Sequence, residues 1–138
     1  MLADFLDAHE RHLVDANQLF RAACWANADH LYGLAAECGL KRLMIKFGME
    51  IITSTGSPRE DYDRVHANVA WKRFESYRAG RPAGAGYALG LNPFTDWDIS
   101  QRYAHRSEFN EARAQRHKAG SDRVSALIQK ARRDGLIP

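Results

Sequence analysis

The chain has 138 residues, 45% hydrophobic and 27% charged, with 20 Lys and Arg against 17 Asp and Glu. This length suits one domain spanning 1–138, able to bury a core without disulfides or a structural metal, and the composition excludes disordered, collagen-like and disulfide-scaffold chains. The longest apolar run, residues 31–47, is broken by Glu37, Lys41, Arg42 and Lys46, so no membrane span fits. The start Met1-Leu2-Ala3-Asp4 lacks the basic region of a secretory leader, and the expected location is cytoplasmic.

Charge is unevenly spread. Residues 1–100 hold 11 basic and 13 acidic side chains, whereas residues 101–138 hold 9 and 4. The C-terminal stretch is a candidate phosphate-attracting surface, or a solvated helix face with Glu108, Glu111, Asp122 and Asp134 interleaved. Cys24 and Cys38, 14 residues apart, would be about 20 Å apart along one continuous helical axis, beyond disulfide reach. Reduced thiols are expected.

The helical period dominates the chain, and no segment alternates cleanly enough to form a strand. Leu6, Leu13, Ala16, Phe20 and Ala23 predict a first helix over 3–24, with His9 on the same face. A break at Trp25-Ala26-Asn27, with Asn27 as cap, leads to a second helix over 28–47, stopped by Gly48. That helix is apolar almost all round, as expected of a helix at the centre of a bundle. Its exceptions, His30, Gly33, Glu37 and Lys41, form one narrow line, with Asp29 at the N-terminal edge.

Residues 49–56 are the one weak strand candidate and read better as a loop. Ser57-Pro58-Arg59-Glu60 reads as a capped helix start, predicting a third helix to about 78 with His66 on its inner face as a hydrogen-bonded core residue. Residues 79–93 form a loop rich in glycine and proline, and Gly84-Ala85-Gly86 with Gly90 is not a dinucleotide fingerprint because no βαβ unit surrounds it. Thr95 with Asp98 predicts a short capped helix carrying Ile99, Arg102 and Tyr103. The last helix is expected over 107–133, where Gly120 either bends it or admits a close neighbour.

Catalogued enzyme signatures are absent: no Gly-x-Ser-x-Gly elbow, phosphate loop, His-Glu-x-x-His or Cys-x-x-Cys occurs. His9 and His12 share an i, i+3 spacing, yet nothing beside them completes a metal site, and no metal or other cofactor is expected. His117 reads as a surface residue of the basic stretch. The densest polar cluster is Arg102-Tyr103-Ala104-His105-Arg106, which follows Trp97. Arginine beside histidine suits RNA cleavage without metal, the histidine moving a proton and the arginine stabilising charge on the phosphorane. On one helix Arg102 and His105 would share a face. The alternative is a structural pair of Arg102 with Glu37 or an aspartate, with His105 on the surface.

The segment Ala28-Asp29-His30-Leu31-Tyr32-Gly33-Leu34-Ala35-Ala36-Glu37-Cys38-Gly39-Leu40-Lys41, followed by Trp97-Asp98-Ile99-Ser100-Gln101-Arg102-Tyr103, resembles the pattern of bacterial HEPN-like domains over about residues 4–135. The resemblance implies an all-α, up-and-down bundle of four to five helices. It also implies a homodimer, RNA or nucleotide as partner, and, in many members, metal-independent ribonuclease activity in defence or toxin systems. Catalytic members place four to six residues between arginine and histidine; here two separate Arg102 from His105. Under this reading Arg102 and His105 are the catalytic candidates. His30, Lys41, Tyr103, Arg106, Arg113 and Arg116 contact nucleic acid or nucleotide, and Asp29, Glu37 and Trp97 support them, with Glu37 orienting Arg102. The competing reading is a non-enzymatic helical interaction protein.

Overall fold

Asp4 sets the start of α1 (Phe5–Arg21): its carboxylate accepts the backbone N–H groups of Leu6 and Asp7, each at 3.0 Å. The computed structural model describes residues 1–138. The reversal after α1 is made by Ala23, whose φ of 59° is left-handed, and α2 (Trp25–Lys46) follows at once. Asn27 therefore lies inside α2 and does not cap it. An alanine gives no sequence signal for such a turn, which is why the break falls earlier than predicted.

The predicted helix start at Ser57-Pro58 is corrected. Pro58 pairs with Ile51 in an isolated antiparallel bridge, Arg59 N–H donates to the Glu50 carbonyl at 2.9 Å, and the Pro58 carbonyl accepts Arg64 Nε at 2.9 Å. These bonds fold 50–59 into a clasp, with one 3-10 turn at Asp61–Asp63, and α3 (Ala67–Ala79) begins only after His66. Residues 80–110 run irregularly over the bundle with 3-10 turns at Pro82–Gly84, Ile99–Tyr103 and Arg106–Glu108. The predicted cap at Thr95 moves to Asp98, which forms a reciprocal capping box with Gln101. Finally α4 (Glu111–Arg133) starts at Asn110, whose side chain accepts Arg113 N–H at 2.9 Å.

The fold is all-α: four α-helices, with the Ile51–Pro58 bridge as the only β pairing. No helix is long and apolar enough to cross a membrane. α2 is central and packs against α1, α3 and α4. The core joins Leu40, Leu43, Met44 and Phe47 of α2 to Trp71 and Phe74 of α3 and to Val124 and Ile128 of α4. Tyr87, Leu89, Phe94 and Trp97 of the irregular segment seal it. Both cysteines are free, and burial pushes the Cys38 thiol up to about 12, so it stays protonated.

Two glycines set how closely the irregular segment lies on the helices. A Cβ at Gly33 would stand 2.0 Å from the Trp97 indole, and one at Gly120 would stand 2.5 Å from the Pro93 ring. Gly120 thus serves close approach. Because the indole is rigid and 1% exposed, Gly33→Ala is expected to cost about 3 kcal/mol or more, read as a lower urea midpoint in chemical unfolding.

His9 adds a pH dependence. It is buried in the α1–α2 contact, its Nδ1 bonded to the Ala35 carbonyl at 2.8 Å, and burial pushes its imidazole below the ordinary 6.5. Burial also lowers His12 and His30. On acidification below about 6.5 the unfolded chain takes up protons that these folded groups refuse, so stability is full above that pH and falls beneath it. Urea unfolding between pH 7.5 and pH 5 is expected to show this loss, with a shallower slope in His9→Gln.

Candidate functional site

Three polar groups of side chains lie on the faces of α2. The first is built on Asp29 in the first turn and a half of α2. Its Oδ1 meets His117 Nδ1 at 2.5 Å, and its Oδ2 accepts Gln101 Nε2 at 2.5 Å. His117 Nε2 meets Asp96 Oδ1 at 2.9 Å, and the ring stacks on Phe94 at 5.1 Å. Asp29 and His117 are fully buried. Each nitrogen of the imidazole thus faces a carboxyl oxygen.

Arg113 and Arg116 close the network on Asp96 at 3.0 and 2.7 Å. Burial alone would raise the Asp96 carboxyl, but the hydrogen bond and charge of His117, with Arg113 and Arg116, hold it below the ordinary carboxylate range. His117 is therefore no surface residue, contrary to the sequence expectation. Its burial follows from α4 turning that face onto Phe94 and Asp29. The arrangement fastens α4 and the 94–101 segment to α2.

The second group is the polar line itself. Glu37 accepts Lys41 Nζ at 2.7 Å and faces His66 Nδ1 at 3.1 Å, and both α2 side chains are buried. Glu37 thus pairs with Lys41 and His66, and no Arg102–Glu37 ion pair forms. His66 is not a core residue of α3 as expected. It stands at the α3 N-cap, half exposed, because that cap lies nine residues after Ser57. His30 stacks on Trp97 at 5.5 Å, while Trp97 Nε1 donates to the Asp29 carbonyl at 3.2 Å. Burial, then the Arg102 charge, pushes the His30 imidazole down, and its Nδ1 is buried without a partner.

The third group is the exposed segment after Trp97. Arg102 lies 4.9 Å from the centroid of the Tyr103 ring, and Tyr103 is 79% exposed. Two clefts flank it, of about 510 Å³ beside Gln101 and Arg113 and of about 740 Å³ beside Trp25 and Arg106. Arg102 and His105 do not share a helix, since the 3-10 turn ends at Tyr103 and His105 caps the next one, its Nδ1 2.9 Å from Ser107 Oγ. No three His, Cys, Asp or Glu side chains are grouped to hold a metal.

The structure thus brings His30, Glu37 and Lys41 to one face of α2, with Asp29 and Trp97 beneath the adjoining segment. Arg113 and Arg116 are engaged by Asp96, while Arg102, Tyr103, His105 and Arg106 stay at the surface. His66, His117, Asp96 and Gln101 are members the sequence reasoning did not place. Only the two histidines were visible as titratable candidates, and both were assigned to the wrong environment. Compared with known protein families, with curated proteins and with solved structures, the chain matches none.

The Asp29–His117–Asp96 linkage is expected to dominate local stability. His117→Leu leaves the fully buried Asp29 with Gln101 and Arg113 but without a partner at Oδ1, and should cost about 3 kcal/mol, measured by urea unfolding at pH 7.

Proposed function

We propose that this chain is an RNA- or nucleotide-associated module of the HEPN-like type, an up-and-down bundle acting as a homodimer. One observation carries the reading: Tyr103 presents an open ring beside Arg102, Arg106 lies three residues on, and neither arginine makes an ion pair. Unstacked RNA bases lie on aromatic rings and guanidinium planes, and unpaired arginines take phosphate oxygens. The clefts on either side leave room for a strand to cross the platform. In the alternative reading this segment docks a protein and the module is not an enzyme. It draws on His105, whose ring is bonded into its own turn.

Fluorescence anisotropy with labelled single-stranded RNA at low salt tests the reading. Wild type is expected to bind, and Tyr103→Ala to weaken binding about tenfold, as loss of one stacked base requires. Arg102→Ala is expected to lower the slope of log affinity against log salt. No affinity in the wild type, or unchanged affinity in Tyr103→Ala, would overturn it.

A further inference from the structure

The polar line of α2 ends at a cleft of about 540 Å³ between the start of α1, the 50–59 clasp and the start of α3. Lys41, Ser57 and His66 give its lining polar groups, and Phe5, Ile52 and Pro58 give it apolar surface. Lys41 is only 6% exposed, yet its Nζ donates to Glu37 Oε1 alone, at 2.7 Å. An ammonium carries three N–H groups, so two of them lie almost wholly out of water with no acceptor from the chain. A lysine and glutamate buried only to hold the fold together need those donors satisfied.

His66 is set for a ligand by the same carboxylate. Glu37 Oε2 faces its Nδ1 at 3.1 Å, and Nε2 has no partner. A carboxylate only accepts, which assigns the proton of this contact to Nδ1 and leaves Nε2 of the neutral ring an acceptor. The 13-residue α3 follows with no side-chain cap, and the N–H groups of Ala67 and Asn68 have no acceptor.

The charges around the cleft nearly cancel. Lys41 is matched by Glu37, and Arg64 is taken up by Asp61 and by the carbonyls of Pro58 and Arg59. The excess is the partial positive charge of the α3 N-terminus, about half a unit, and Glu37 beside it repels a second negative charge. A singly charged carboxylate suits this balance and a doubly charged phosphate does not. The volume is that of a small-molecule site, typically about 300–1,000 Å³.

We propose that this cleft binds a small hydroxy acid with an apolar body. The carboxylate of the acid accepts the spare N–H groups of Lys41, its hydroxyl donates to His66 Nε2, and its apolar body lies against Phe5, Ile52 and Pro58. Glu37 is the positioning residue that holds both Lys41 and His66. The site is separate from the Tyr103 platform and does not depend on the RNA reading.

The test is an NMR titration of the full isotope-labelled chain with 3-phenyllactate. Saturating shifts are expected at the amides of 55–58 and 66–68, with a dissociation constant of about 2 mM, the value that about a dozen heavy atoms give at ordinary ligand efficiency. 3-Phenylpropionate, which lacks the hydroxyl, should bind about fivefold more weakly, and inorganic phosphate should give no saturating shift at these amides. In His66→Ala, which removes a half-exposed ring, the two acids should bind alike, because the hydroxyl has lost its acceptor. Lys41→Gln, its fold checked by amide dispersion, should bind both at least about tenfold more weakly. No saturating shift in the wild type, phosphate binding as tightly as the hydroxy acid, a preference for the hydroxy acid that survives His66→Ala, or unchanged affinity in folded Lys41→Gln would overturn the proposal. The wild-type and His66→Ala titrations decide it even if Lys41→Gln does not fold.

Discussion

The buried bridge from Asp29 through His117 to Asp96 is the constraint on which the rest of the structure depends. A carboxylate and an imidazole taken wholly out of water lose hydration that only close partners replace. Here each has them: Asp29 faces His117 and Gln101, and His117 faces a carboxyl at both nitrogens. Satisfying those groups requires α2, the 94–101 segment and α4 to meet at one point. A register change in any of them would strand a buried polar atom. Apolar burial holds the bundle together without choosing among similar packings, and this linkage selects one.

Trp97 carries the same constraint along α2. Its indole lies over Gly33, stacks on His30 and donates to the Asp29 carbonyl, so the irregular segment follows the helix for more than a turn. That path places Arg102 and Tyr103 outward, beyond the point where the 3-10 turn releases the chain. At the other end, Glu37 and Lys41 form a buried pair whose second carboxylate oxygen is directed to the start of α3. Asp29 and Glu37 of this otherwise apolar helix are thereby tied to distant parts of the chain, Asp29 to Gln101 and His117 and Glu37 to His66.

How much of this is legible in the sequence differs element by element. The all-α class, the central position of α2 and the polar line follow from periodicity, because a helix apolar on every face must be enclosed. The start of α3 does not follow, since Ser57-Pro58 satisfies the local rules for a helix start and is overruled by bonds to Glu50 and Arg64. Displacing that start is what brings His66 from an expected core position to a cleft. His117 fails for a related reason: a histidine among arginines reads as surface until the distant Asp29 and Asp96 are known to reach it. Both errors concern contacts between residues far apart in sequence, which no local pattern encodes.

The same long-range contacts change the meaning of the basic C-terminal stretch. Arg113 and Arg116 pair with Asp96, Lys118 with Asp122, Lys130 with Asp134, and Arg132 with Glu10 of α1. Five of the nine basic side chains of residues 101–138 are thus paired within the fold, and α4 is no continuous cationic stripe. Arg102, Arg106, Arg123 and Arg133 make no ion pair, and two of these four flank Tyr103 within five residues. An exposed paired charge has a weak external field, whereas an unpaired guanidinium beside an open aromatic ring keeps both its charge and its stacking face. Unpaired guanidinium groups beside an open aromatic ring occur at one segment, next to the end of α2 where Trp97 is anchored.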